Sequence, residues 1–194
     1  MVILSKIYTR TGDHGSTRLV DNSVTAKSDL RVEAYGLIDQ ANASIGLAIA
    51  LDTTTKVLSR EVREALGIIQ NELFDLGADL ATPLDPPPTW EALRIVESQT
   101  ERLESEIDWM NESLKALDSF ILPGGSPLSA HLHLARTVCR RAERLAVALM
   151  ETGEAVNPEA VKYLNRLSDH LFVAARRANA NGAADVKWKP GATR

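Results

Sequence analysis

Cysteine is almost missing from this chain. Cys139 is the only one in 194 residues, which excludes an intrachain disulfide and a thiolate metal cluster. Aromatic residues are scarce at 5%, while alanine and leucine are plentiful, a mixture that favours helix over strand. There is no excess of positive charge: 22 Lys and Arg against 26 Asp and Glu leave a net charge of −4. Binding nucleic acid through its phosphates needs a clear basic surplus, so nucleic acid is not the expected partner. A nucleotide needs only a few well-placed cations and stays open. No apolar run reaches membrane-spanning length, and the opening Met1-Val2-Ile3-Leu4-Ser5-Lys6 is too short for a secretory signal. The expectation is a cytoplasmic protein with no membrane partner. Its length suits one domain with a substantial core.

What is present is helical periodicity. Five stretches carry apolar residues at alternating steps of three and four. The first is Ala34, Ile38, Ala41, Ile45 and Ala48, and the second Val62, Leu66, Ile69, Leu73, Leu76 and Leu80. The third runs Leu93, Val96, Thr100, Leu103, Ile107, Met110 and Leu114. The fourth is Leu128, Leu132, Ala135, Cys139, Ala142, Ala146 and Leu149; the fifth is Ala160, Leu164, Leu167, Leu171, Ala174 and Ala178. Such stripes belong to bundles whose helices cross at shallow angles. Ser126-Pro127 and Asn157-Pro158 each read as an N-cap followed by proline in the first turn. Thr89, after Pro86-Pro87-Pro88, is expected to cap the third helix, the prolines stopping the second. No strand pattern, repeat or low-complexity segment stands out. The expected fold is all-α, a five-helix bundle with a short N-terminal loop.

Two segments are more than connectors. Tyr8-Thr9-Arg10-Thr11-Gly12-Asp13-His14-Gly15-Ser16-Thr17 packs glycines, hydroxyls, an arginine and an aspartate into ten positions. Glycines let several N–H groups converge on an anion, and hydroxyls with Arg10 add donors. The loop suits a polyphosphate, with Asp13 available to a metal ion or to order the loop. The same composition also suits a solvated turn, and it lacks the Gly-Lys-Ser/Thr ending of a Walker A loop. Phe120-Ile121-Leu122-Pro123-Gly124-Gly125 is the second segment. On the fourth stretch Arg136, Arg140, Glu143 and Arg144 share one helical face, able to pair with phosphates or with carboxylates of a neighbouring helix. Asn165, Arg166 and Asp169 on the fifth stretch, and Asp39 and Asn42 on the first, add polar groups beside the core. His131 and His133 diverge on a helix, no Glu-x-x-His occurs, and Cys139 sits on the core stripe as packing. No hydrolase arrangement of serine, histidine and acid stands out.

Taken in order, six segments resemble the PduO-type ATP:cob(I)alamin adenosyltransferases. They are Tyr8 to Thr17, Arg31-Val-Glu-Ala-Tyr-Gly36 leading to Asp39 and Asn42, Leu73-Phe-Asp-Leu-Gly-Ala-Asp-Leu-Ala81, Phe120 to Gly125, Ala135-Arg-Thr-Val-Cys-Arg-Arg-Ala-Glu-Arg144, and Tyr163-Leu-Asn-Arg-Leu-Ser-Asp169. The similarity spans residues 7 to 180. It implies a five-helix bundle, usually a homotrimer, with ATP and corrinoid bound where subunits meet. Nucleotide-binding residues carry over to Thr9, Arg10, Gly12, Asp13, Gly15, Thr17, Lys27, Arg140, Glu143 and Asn165. An Asp–Arg pair across the subunit boundary corresponds to Asp39 and Arg136, and the aromatic residue on the corrinoid's lower face to Phe120. Magnesium is implied with ATP, near Glu143, and no protein metal site beyond it. The implied division is an ATP-binding segment over 1–27, the bundle over 28–182 and a tail over 183–194.

The resemblance implies transfer of the 5′-deoxyadenosyl group of ATP to cob(I)alamin, giving adenosylcobalamin and triphosphate. A reductase would supply the electron and an adenosylcobalamin-dependent mutase would receive the product. Phe120 under the ring would displace the lower ligand and ease reduction to Co(I). Co(I) itself is the nucleophile, so the protein's share is positioning, plus neutralising the triphosphate with Arg10, Lys27 and Arg140. The run Asp39-Gln40-Ala41-Asn42 departs from the common Asp-Glu-Leu-Asn, losing a carboxylate beside the presumed pair; His14 and Ser16 also depart. A non-catalytic carrier of adenosylcobalamin is the alternative, and it would release no triphosphate. The tail from Ala183, including Trp188, is expected either to be disordered or to close over the corrinoid.

Overall fold

The stripes become five helices because their apolar members have one place to go. The computed structural model describes residues 7–194, and the opening Met1 to Lys6 stretch lies outside the described residues. The helices are α1 (Leu30–Thr55), α2 (Arg60–Leu80), α3 (Glu97–Asn111), α4 (Pro127–Glu151) and α5 (Pro158–Arg177), preceded by β1 (Ser16–Arg18) and β2 (Val24–Ala26). α4 packs against α1 and α5, α2 against α1, and α3 against α5. The stripes of α1, α2, α4 and α5 are buried throughout, Ile45, Leu66, Leu132 and Leu167 completely. Each such branched side chain contributes about 1.5–3 kcal/mol relative to exposure.

Helix starts follow the capping chemistry. The Asp29, Ser126 and Asn157 side chains accept from the N–H groups of Arg31, Ser129 and Glu159, with Pro127 and Pro158 in the first turns. The third helix departs from expectation. Thr89 caps nothing; α3 begins at Glu97, where the Gln99 side chain accepts from the Val96 N–H at 2.9 Å. Leu93 and Val96 are exposed and Ile95 is buried instead. The cause is Asp79 at the end of α2. Its carboxylate accepts from the Ile95 N–H (2.9 Å) and Asn157 Nδ2 (2.7 Å), and pairs with Arg94 (2.7 Å), which holds 94–95 outside a helix.

A two-stranded antiparallel hairpin, Thr17 opposite Thr25, stands before the bundle. Its turn uses Asn22 at φ 66°, a conformation asparagine tolerates, and Asp21 accepting from Ser23 N (2.9 Å). The Val20 N–H donates to Ala81 O (3.2 Å), fastening the hairpin to the end of α2. Three-residue strands are too short for an alternating pattern to show in sequence. The tail is ordered against the α3–α4 loop: Leu122 N–H donates to Val186 O and Trp188 N–H to Phe120 O, both at 2.8 Å. Among the described residues no helix is long and apolar enough to cross a membrane.

Candidate functional site

The segment before α1 folds into a recess of about 660 Å³, lined by Thr9, Arg10, Gly12, Asp13, Thr17 and Lys27, with Tyr8, Thr11, Ser16, Arg18 and Val24. Gly15 (φ 85°) makes the turn that brings the loop back: its N–H donates to Gly12 O (3.2 Å), and its carbonyl accepts from Lys27 N–H (2.8 Å). The Lys27 side chain lies across Gly12. A Cβ at Gly12 would stand 3.2 Å from Lys27 Nζ and 2.9 Å from Ser16 O, so the bare glycine is what lets the ammonium lie there. Arg10 sits at φ 63° with its guanidinium 5.4 Å from the Tyr8 ring centroid. The Thr9 and Thr11 hydroxyls are 3.0 Å apart. Arg10, Arg18 and Lys27 face a single acid, Asp13, among the residues that line the recess. That balance and supply of donors suit a polyanion. Arg18 and Ser16 were not singled out as ligands from sequence; only the hairpin turns them toward the loop.

A second polar group lies on α4 and α5. The Asn165 Nδ2 donates to Glu143 Oε1 at 2.8 Å, joining the two helices. Arg140 lies one turn earlier on α4, exposed, with no ion pair among the described residues. Arg166 is occupied by Glu104 (2.7 Å) and Asp169 (3.6 Å). Arg136 is half-buried with an unpartnered Nε; burial, then the nearby Arg140, lowers its pKa. His133, one turn before it, is buried edge-on to Phe172 (5.9 Å), and burial together with Arg136 lowers its pKa. Cys139 is fully buried, its thiol donating to Leu164 O (3.3 Å), and burial pushes its pKa far above the ordinary thiol range. It is packing, not a nucleophile. Asn42 is structural too: its Nδ2 donates to Gln70 O (2.9 Å), tying α1 to α2.

The two groups stay apart within one chain. Arg141 pairs with Glu33 of α1 (3.2 Å), and both line a recess shared with Lys27. Glu143 faces α5 instead. Positions two apart on a helix are about 200° around its axis, so Glu143 points away from the flank of α4 on which Arg141 meets Glu33 and the Lys27 recess. Asp39 is exposed on α1, and among the described residues neither it nor Arg136 has an ion-pair partner. Phe120 stands in the α3–α4 loop with 79% of its surface exposed, its ring 6.3 Å from that of Trp188.

Comparison with known proteins agrees across the whole length. The cobalamin adenosyltransferase family model matches residues 7–178. A corrinoid adenosyltransferase of Mycobacterium tuberculosis is 52% identical over 194 residues, covering 100% of this chain and 97% of the relative. One from Bacillus subtilis is 44% identical over 188 residues, covering 96% and 94%. Among solved structures, a variant PduO-type ATP:corrinoid adenosyltransferase from Lactobacillus reuteri, complexed with cobalamin and ATP, superposes with a TM-score of 0.85 at 39% identity. That match covers 95% of this chain and 99% of the other. With the family model matched over residues 7–178 and close relatives and a solved structure in agreement, this chain belongs to the cobalamin adenosyltransferase family.

Proposed function

We propose that the N-terminal recess holds the triphosphate of ATP and that Arg140, Glu143 and Asn165 of a neighbouring subunit complete the nucleotide site. The chain is a corrinoid adenosyltransferase, which transfers the 5′-deoxyadenosyl group of ATP to cob(I)alamin and releases triphosphate. The cobalt lone pair attacks the ribose 5′-carbon. The Co–C bond forms as the C5′–O bond breaks, and the electron pair leaves on triphosphate. The transfer needs no protein nucleophile, and the one cysteine is buried.

The observation that carries the reading is the recess itself, with three cationic side chains against one carboxylate and Lys27 laid over Gly12. Arg10 and Lys27, with Arg140 from the neighbour, neutralise charge that builds on the leaving triphosphate. Magnesium fits as an ion carried by the phosphates. No cluster of three potential ligands exists among the described residues, and Glu143 has one carboxylate oxygen not engaged by Asn165. Phe120 has the exposure and the apolar ring to lie under the corrin, exclude water and displace the lower ligand. Arg136, half-buried without an acid, and Asp39, exposed without a base, are suited to pair across a subunit boundary in a homotrimer.

This reading treats 1–27 as the ATP-binding segment, 28–182 as the bundle and 183–194 as the tail. It places the enzyme in the cytoplasm, between a reductase that delivers the electron and a mutase that uses the product. The test is an anaerobic assay with Mg-ATP and chemically reduced cobalamin, following the cobalt spectrum and triphosphate together. One triphosphate per adenosylcobalamin is expected. Phosphate or diphosphate as product would contradict transfer, and binding without turnover would favour the carrier.

A further inference from the structure

The end of α5 makes a reversal that the bundle does not require. Ala180 (φ 54°), Asn181 (φ 50°) and Gly182 (φ 78°) stand consecutively in the left-handed region, which is unfavourable for an L-residue such as alanine. Such a conformation persists only where its surroundings over-determine it. Here they do. Buried Arg176 donates from Nε to Asp185 Oδ2 at 2.9 Å, and buried Asn179 donates from Nδ2 to Asp185 Oδ1 at 2.9 Å. The Gly182 N–H donates to Arg176 O (2.9 Å) and the Ala184 N–H to Asn179 O (3.2 Å). The Arg176–Asp185 pair has side chains only 7% and 5% exposed.

The other partners of the same side chains lie on the loop that carries Phe120. Arg176 donates a second guanidinium hydrogen bond to Lys115 O (2.8 Å), near the start of that loop. Asn179 Oδ1 accepts from the Ser126 N–H (3.2 Å), at its end. That approach demands glycine at 125: it sits at φ 95°, and a Cβ there would fall 2.3 Å from Asn179 Oδ1. Between these points the loop is held by the tail beyond Asp185. Leu122 N–H donates to Val186 O, Trp188 N–H to Phe120 O, and Ser119 Oγ to Trp188 O (3.0 Å), while Lys187 pairs with Asp118 (2.6 Å).

We propose that Arg176, Asn179 and Asp185 form a buried clamp that sets the position of Phe120 through the antiparallel pairing of residues 120–122 with 186–188. They are positioning residues for adenosyl transfer, and this part of the proposal rests on the reading of Phe120 given above. The clamp touches the start and end of the loop and, through Asp185, adjoins the tail segment paired with its middle. The Phe120 ring, exposed apart from its approach to Trp188, has little else to fix it.

The test combines amide hydrogen exchange with anaerobic kinetics. Asp185→Asn leaves one acceptor oxygen where two donors need one each. It is expected to speed exchange at the Leu122 and Trp188 amides by about tenfold or more, sparing the helices. Turnover should fall about tenfold while KM for ATP stays within about twofold. Bound cob(II)alamin should show less of the spectrum of cobalt without a lower ligand. Phe120→Ala combined with Asp185→Asn should be no slower than Phe120→Ala alone. Trp188→Pro removes the donor to Phe120 O outside the buried trio, so it carries the test if Asp185→Asn fails to fold; it should speed exchange at Leu122 likewise. Unchanged exchange at these amides, or losses that multiply in the double variant, would overturn the clamp. Faster exchange with full turnover in Phe120→Ala would leave a tether and overturn its catalytic part.

Discussion

At the scale of single residues, function follows from which side chains the bundle leaves bare. Phe120 is a large apolar ring given to solvent, at a cost of about 25 cal/mol for each Å² of apolar surface left exposed. Phe120→Ala should lower kcat by about a hundredfold with ATP affinity nearly unchanged, measured by steady-state kinetics and calorimetric titration; equal loss of both would remove the ring from beneath the corrin. Gly12 is the opposite case, a missing side chain that matters. Gly12→Ala sets a methyl 2.9 Å from Ser16 O and 3.2 Å from Lys27 Nζ, so the ammonium must move. KM for ATP should rise about tenfold, worth 1.4 kcal/mol in the conversion of affinities; an unaltered KM would mean that Lys27 is not where phosphate binds. Gly12 stood out in sequence as a glycine within a donor-rich loop, whereas Phe120 was singled out only by the family resemblance, its exposure being visible only in the folded chain. Tyr163 and His170 could not be read from their type. Both are fully buried polar groups, and nothing in a tyrosine or histidine on a helix says whether a partner waits across the core.

Those two residues belong to the scale of elements. The Tyr163 hydroxyl donates to Glu72 of α2 at 2.6 Å, Arg102 of α3 bridges Glu72 and Glu106, and His170 Nε2 stands 2.9 Å from Glu106 Oε2. Three helices are joined by one buried polar chain, in a region where α3 presents few apolar side chains. Burial alone would raise the Glu106 pKa, but hydrogen bonds from His170 and Arg102 outweigh it and lower the value. A carboxyl lowered on folding stabilises the fold above its unfolded pKa of about 4.3, and that stability drains away as pH falls through the folded value. Melting temperature followed downward from pH 7 should therefore drop in the acid range, and Glu106→Gln should flatten part of that drop. An identical acid slope in both proteins would contradict the linkage. The helices themselves were readable wherever apolar spacing ran long and uninterrupted, as in α4 and α5. α3 was misplaced at its start because Leu93 and Val96 extend its stripe in sequence, while Asp79, fourteen residues before Leu93, decides where the chain actually turns helical. The hairpin and the tail's pairing with the Phe120 loop are too short to leave a period, so only the folded chain shows them.

At the scale of the whole molecule, the proposed nucleotide site has two halves in one chain that no hydrogen bond or ion pair among the described residues joins. The loop half is built by residues 9–27 and the other by Arg140, Glu143 and Asn165. In the proposed cyclic trimer each loop half meets the arginine half of the next subunit, the same contact that is proposed to pair Asp39 with Arg136. The measurement that tests this most directly is subunit complementation. Lys27→Ala and Arg140→Ala trimers should each be nearly inactive in the anaerobic assay. Mixed at equal amounts, dissociated and reassembled, they should recover roughly a quarter of wild-type turnover, because in a ring of shared sites that fraction draws both intact halves from different chains. No recovery in demonstrably mixed trimers would mean that both halves act within a single chain, and the shared-site account would fall.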